Sequence, residues 1–195
     1  MLLSELLVLG LGSNTPRGED SCVDLLRKAC VQLSRLFTIF EVSSVYRTKP
    51  MYMENQERFH NMVVCGIPAP GTSPMELLGE IHRIEASLGR DRSREIRNGP
   101  RTLDIDIEMF GTEFVDEPAL QIPHPRIRER AFVLVPLDDA LSSGKFMRLK
   151  DSVAKFLGVD FSDIKNGDND VEFFMDKNSF MMPIKNMLNI VEKKD

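Results

Sequence analysis

Gly99-Pro100-Arg101-Thr102-Leu103-Asp104-Ile105-Asp106-Ile107-Glu108-Met109 is the stretch from which the rest of the chain is best read. Asp104, Asp106 and Glu108 alternate with Leu103, Ile105, Ile107 and Met109, which is the period of a half-buried strand. Residues i and i+2 of a strand face the same way, so Asp104 and Asp106 are neighbours. Two bare carboxylates at that spacing repel each other, and a divalent cation that accepts both removes the cost. Oxygen donors with no His or thiolate in reach favour magnesium over zinc.

The residues before this strand carry the opposite charge. Arg90, Arg92, Arg94, Arg97 and Arg101 fall within twelve residues, among Gly89, Gly99 and Pro100. Guanidinium forks bind phosphate oxygens in pairs and stay charged at physiological pH. An acidic pair beside such a loop therefore points to a polyphosphate held with its metal. The plainer alternative is a solvated edge strand with charges on its open face and a flexible basic loop alongside.

Outward from the strand, the chain reads as alternating elements. A strand at about 5–11 runs into the turn Gly12-Ser13-Asn14. Cys22, Leu25, Leu26, Ala29, Leu33, Leu36 and Phe37 then recur at helical spacing over about 20–37. Residues 38–47 and 59–67 read as strands joined by a polar loop, forming a long hairpin. Ser73-Pro74-Met75-Glu76 starts a second helix with a capping box and Pro at its first position. That helix points Met75, Leu78, Ile81 and Leu88 inward and stops at Gly89. After the Asp strand, which ends at Phe110-Gly111, a short return strand is expected near 112–115. The order βαββαβ implies an α+β, ferredoxin-like fold: an antiparallel sheet with two helices on one face. The expected core spans 1–138, including a Pro-containing connection and the apolar segment Phe132–Leu137. Residues 139–195 are expected as a C-terminal extension packed on or trailing from that core, with a short helix near 151–157.

Composition excludes several function classes. At 195 residues the chain fits one domain with a short appendage. Its net charge of -5 argues against a general nucleic-acid binder, so the arginine loop is a local device. Cys22, Cys30 and Cys65 are odd in number and lack CxxC spacing, which suits reduced thiols in a cytoplasmic protein. The apolar run at Met1–Leu9 carries Glu5 and is too short to span a membrane. Gly10-Leu11-Gly12 follows a strand, but Thr15 stands where a dinucleotide fingerprint needs its third glycine, and no P-loop occurs anywhere. Asp168, Asp170 and Glu172 lack the glycine of a calcium loop.

The extended match identifies a family resemblance. Gly99–Ile107 resembles the signature of 6-hydroxymethyl-7,8-dihydropterin pyrophosphokinases, enzymes of folate biosynthesis. Four further blocks resemble that family in order: Leu9–Asn14; Ser44–Pro50 through Phe59-His60-Asn61; Arg83-Ile84-Glu85 with Gly89–Arg92; and Ile122–Pro125 with Arg130-Ala131-Phe132 and Pro136-Leu137. Together they cover about residues 6–138.

The resemblance implies transfer of the β,γ-diphosphate of ATP to the pterin hydroxymethyl oxygen, with release of AMP. It implies that Asp104 and Asp106 hold two magnesium ions and that Arg90 and Arg101 clamp the transferred phosphates. Glu85, Arg92, Ile107, His124 and Arg130 match ATP-contacting positions. Phe59 and Phe132 match aromatics that sandwich the pterin, Asn61 matches the amide at its polar edge, and the backbone near Thr48 and Met51 completes the set. The implied partners are the two small-molecule substrates, with no nucleic acid or membrane, and the implied state is a monomer. Three departures stand out. Asn98 replaces a common tryptophan, Lys49 replaces a frequent proline, and the longer arginine loop leaves Arg94 and Arg97 without counterparts. Loops 48–58 and 89–100 are expected to order on substrate binding. Two other readings stay open: another magnesium-dependent phosphotransferase or nucleotidyltransferase, and a non-catalytic ferredoxin-like module that reads RNA or senses a metabolite. The RNA reading lacks the aromatic pattern and basic sheet it needs, and a sensor has no use for paired carboxylates facing an arginine clamp.

Overall fold

The first strand, β1 (Leu7–Ser13), is buried along its whole length, as a central strand covered on both faces must be. The computed structural model describes residues 1–183 except Tyr52, Glu54, Glu95, Arg97, Asn98 and 168–169, with only the backbone described over 165–167. Arg97, Asn98 and Asp168, singled out above, therefore lie outside the described residues.

After β1 come α1 (Cys22–Leu33), β2 (Phe37–Val42), β3 (Val45–Thr48), β4 (Phe59–Pro68), α2 (Pro74–Ser87) and β5 (Asp104–Phe110). Then follow β6 (Val115–Glu117), β7 (Leu120–Ile122), α3 (Ala131–Leu141), α4 (Lys150–Leu157), α5 (Phe161–Gly167) and β8 (Val171–Met175). The main sheet runs β5-β1-β4-β3-β8, with β2 also pairing β4, and its ladders are antiparallel. Its first four strands and the helices α1 and α2 make the ferredoxin-like arrangement.

The local chemistry explains the helix starts. Ser73 Oγ accepts from the Glu76 N–H, and Glu76 Oε2 accepts from the Ser73 N–H at 2.9 Å, with Pro74 opening the helix. Ser21 and Asp24 make the same reciprocal pair at α1. Both helices pack on one face of the sheet, where Leu25, Leu26, Leu33, Leu77, Ile81 and Ile84 meet Leu9, Leu11, Met62, Val64, Ile105 and Ile107.

Three details differ from the sequence reading, and a fourth settles an element it left unassigned. The strand expected over 38–47 breaks at Ser43-Ser44, where Ser43 Oγ accepts from the Val63 N–H and donates to the Ser44 carbonyl. The return strand expected near 112–115 starts later and pairs with β7 as a separate hairpin. Met75 is 49% exposed and Leu77 takes its place in the core, because the inward stripe of α2 runs through Leu77, Ile81 and Ile84. Finally, the apolar segment Phe132–Leu137 is helical, with Pro136 inside α3.

That helix covers the sheet face left open above. Val133, Leu134 and Leu137 pack on Val8, Val63, Cys65 and Met109, and Phe146, Val153, Leu157 and Phe161 extend this second core into the C-terminal residues. The chain then crosses back. Phe180, in a helical turn over 177–183, is fully buried in the α1/α2 core, and burying a side chain of that size contributes about 1.5–3 kcal/mol. Cys22, Cys30 and Cys65 are buried and unpaired. Among the described residues no helix is long and apolar enough to cross a membrane.

Candidate active site

The site begins with two missing side chains. On β1, Gly10 pairs with Val63 and Asp106, and Gly12 pairs with Asn61 and Asp104. A Cβ on Gly12 would lie 2.7 Å from Asn61 Oδ1, and one on Gly10 would lie 3.0 Å from Glu108 Oε1. Glycine at both positions leaves a floor on which neighbouring polar side chains can lie. Above it is a cavity of about 270 Å³ between sheet, α3 and the loop after β3. Thr48, Met51, Phe59, Asn61 and Phe132 all line it. The Asn61 amide donates to Thr48 Oγ1 at 2.7 Å, which fixes the orientation of a buried group.

Asp104, Asp106 and Glu108 form one wall of this cavity, and each is met by arginine. Asp104 accepts from Arg90 on one oxygen and Arg101 on the other. Arg130 Nη1 lies 2.7 Å from Asp106 Oδ2 and 2.9 Å from Glu108 Oε1. Burial alone would raise the Asp104 carboxyl, but Arg101 and Arg90 outweigh it and hold it below the usual range. Burial and the adjacent Asp104 charge push Asp106 up against the pull of Arg130. Glu108 is fully buried, and burial pushes it up to about 8 despite Arg130. Glu108 Oε2, Arg101 Nε and Arg130 Nε are buried without hydrogen-bond partners, a cost that a bound polar ligand would relieve.

A second, larger cavity of about 610 Å³ lies beyond β5, lined by His82, Arg92, Ile107, His124 and Pro125. Asp106 lines both cavities. His124 Nδ1 accepts from the Arg126 N–H at 3.1 Å, so the neutral ring carries its proton on Nε2. Burial, with Arg130 and Arg126 nearby, pushes His124 down to about 4, which keeps it a neutral donor at neutral pH.

Glu85 lines neither cavity. It is fully buried beneath them, where Oε1 accepts from the Ile105 N–H at 2.8 Å and from Arg90, and Oε2 accepts from Arg92. Arg94 points away, 88% exposed and paired with Asp91.

Three residues escaped the sequence reading as site components: Asn14, His82 and Glu108. Asn14 Oδ1 accepts from the Arg101 N–H at 2.7 Å, while its amide donates to Gln56 Oε1 and to the Glu57 carbonyl, both at 3.1 Å. One side chain in the turn after β1 thus joins the arginine loop to the loop after β3. Its signal was the Gly-Ser-Asn turn. Glu108 continued the acidic alternation in plain view, but only the covering helix α3 makes it internal. His82 had no local signal.

The donor set fits a hard cation brought in with phosphate. Among the described residues no group of three or more His, Cys, Asp or Glu is placed to hold a metal. Magnesium, however, is commonly held by one or two carboxylates, with substrate phosphates and water completing its shell. Asp104 and Asp106 supply that number, and the repulsion felt by Asp106 is what a cation would cancel.

Comparison with known proteins identifies the family. Residues 8–142 match the family described as 7,8-dihydro-6-hydroxymethylpterin-pyrophosphokinase (HPPK). The chain is 40% identical over 137 residues to the 2-amino-4-hydroxy-6-hydroxymethyldihydropteridine pyrophosphokinase of Bacillus subtilis, covering 69% of this chain and 77% of that protein. It is 36% identical over 136 residues to the folic acid synthesis protein fol1 of Pneumocystis carinii, covering 70% of this chain but 17% of that protein. A crystal structure of Plasmodium falciparum HPPK-DHPS shares the fold, with a TM-score of 0.55 at 16% identity over 88% of this chain and 50% of that one. The chain therefore spans about half the length of that solved structure and a smaller share of the fungal protein. On the strength of the match over 8–142, the chain belongs to the 7,8-dihydro-6-hydroxymethylpterin-pyrophosphokinase family.

Proposed function

We propose that this chain transfers the β,γ-diphosphate of ATP to the hydroxymethyl oxygen of 6-hydroxymethyl-7,8-dihydropterin, releasing AMP and the pterin diphosphate, in folate biosynthesis. One observation carries the reading: Asp106 lines both an aromatic-lined cavity and a second one lined by Arg92 and His124. A transfer between two substrates needs such a junction.

The pterin enters the smaller cavity. Phe59 and Phe132 cover its faces, and Asn61, oriented by Thr48, pairs with its polar edge, with the backbone at Thr48 and Met51 alongside. ATP enters the larger cavity, where Ile107 packs against the nucleoside and His124 Nε2 and Arg92 donate to it. Glu85 acts from below by fixing Arg90 and Arg92. Asp104 and Asp106 would hold two magnesium ions, which would offset phosphate charge and acidify the attacking hydroxyl. Arg90, Arg101 and Arg130 rest on these carboxylates without ligand. With polyphosphate present, the unpartnered Nε groups of Arg101 and Arg130 turn to phosphate oxygens. In-line displacement at the β-phosphorus then requires position and electrostatics, not a covalent intermediate on the chain.

The same proposal includes a catalytic core over 1–138 with an extension over 139–195, and a monomer acting in the cytoplasm. Three buried thiols without a disulfide suit a reducing compartment. Incubation with magnesium-ATP and the dihydropterin, followed by chromatography, tests the reaction. AMP and a pterin diphosphate should appear in equal amounts. ADP formation would favour a different phosphotransferase, and absence of turnover by folded protein would end the proposal.

A further inference from the structure

The family match stops at residue 142, yet the chain returns to the site from beyond it. We propose that Asp170, directly before β8, and Glu172, within it, position the loop that closes the pterin cavity, so the extension sets affinity for the pterin. The inference rests on the reading of that cavity as the pterin site.

Three sets of contacts support it. First, β8 is a sheet strand: Thr48 pairs with Val171, Arg47 with Glu172 and Tyr46 with Phe173. Thr48 ends β3 and is also the residue that orients Asn61. Second, ion pairs tie both ends of the loop after β3, one to the residue before this strand and one to the strand itself. Lys49 Nζ lies 2.5 Å from Asp170 Oδ1, and Arg58 Nη1 lies 2.5 Å from Glu172 Oε2. Third, the strand is anchored further along. The Phe174 ring packs edge-on against His60 with centroids 4.7 Å apart, and the buried Phe180 has its carbonyl capped by Arg27 Nε at 3.1 Å.

Asp170 and Val171 lie beside the cavity read as the pterin site. They share a cavity with Thr48, Met51 and Phe132, three of the residues that line the pterin cavity. Exposed ion pairs are individually weak because the two side chains must be ordered and water screens them. Glu172 sits on a strand already fixed by its ladder, and Lys49 and Asp170 directly flank the Thr48–Val171 ladder pair, so less ordering remains to be done. Both pairs act on the same loop, one at each end.

Charge reversal and restoration in the full chain test the inference. Glu172→Arg and Arg58→Glu should each raise the KM for the dihydropterin by about three- to tenfold, with the KM for ATP changed by less than about twofold. Combining the two should return the pterin KM towards the starting value. Asp170→Asn, which leaves the β8 ladder intact, should raise it by about twofold. Amide hydrogen exchange should quicken in the single variants at Lys49–Met51 and Gln56–Arg58, while β1 and β4 stay protected. Unchanged pterin KM and unchanged exchange would overturn the inference, as would failure of the combined variant to recover. Faster loop exchange, in a protein that never turns over the dihydropterin, would support the restraint while removing the functional reading on which its purpose depends.

Discussion

The two faces of the sheet are made from alternate residues of the same strands, yet they are built on opposite principles. Toward α1 and α2, Leu9, Leu11, Met62, Val64, Ile105 and Ile107 close into an apolar core. Toward α3, the same strands carry Gly10, Gly12, Asn61, Asp104, Asp106 and Glu108, which line a cavity beside the second core of Val8, Val63, Cys65 and Met109. One face gains stability by filling space. The other leaves space with glycine and holds charge that it neutralises in pairs. Chemistry is thus confined to one end of one face, and a slip of one residue in β5 would turn Asp104 and Asp106 into the apolar core.

Substitutions on the two faces should separate accordingly. The largest effect belongs to the polar face: Asp106→Asn should lower turnover by about 10³-fold or more, by analogy with losing a principal electrostatic stabiliser. Its thermal midpoint should stay within a few degrees of the parent, since the change also removes the Asp104–Asp106 repulsion. Wild-type turnover, or outright unfolding, would break the division. On the apolar face, Ile81→Ala should cost about 2–5 kcal/mol in denaturant unfolding, with kcat kept at temperatures where the protein remains folded. A collapse of kcat without loss of stability would show that the two faces are not independent.

The smallest effect is a pH dependence. His124 is held at about 4 in the folded chain, against an ordinary value of 6.5. Between those values the unfolded chain binds more protons, so stability falls as pH drops from 6.5 towards 4. His124→Gln should remove that part of the acid loss, no more than about 2 kcal/mol after solvent screening is discounted. Urea midpoints measured across the window would show a shallower decline. An unchanged slope would place the acid sensitivity elsewhere.

How far the sequence could be read depended on whether its signals were local. The alternation in Leu103–Met109 and the capping box at Ser73–Glu76 are properties of a few consecutive residues, and both appear in the fold. So does the pairing of Asp104 with Asp106 on one wall, and the resemblance gathered Thr48, Met51, Phe59, Asn61 and Phe132 around one cavity. Nothing local says that α3 will cover the acidic face, because six apolar residues containing Pro136 suit a buried strand or a helix equally. The burial of Glu108 follows from that cover, and so was hidden with it. Met75 and Leu77 both suit a helix stripe, and packing against β5 decided between them. The extension was least readable: β8 has five residues, the two ion pairs Lys49–Asp170 and Arg58–Glu172 span long sequence separations, and their meaning exists only after β3 and β8 pair. Lys49, a departure from a frequent proline, acquires in Asp170 a partner that restrains the loop by charge.

In the proposed reaction one wall of carboxylates serves two substrates and moves two phosphates together. Its most direct test follows ATP radiolabelled separately at the α and γ phosphates through a reaction with magnesium and the dihydropterin. The prediction is that α label ends in AMP and γ label in the pterin product, mole for mole. Label in ADP, or γ label released as inorganic phosphate without a labelled pterin, would contradict it.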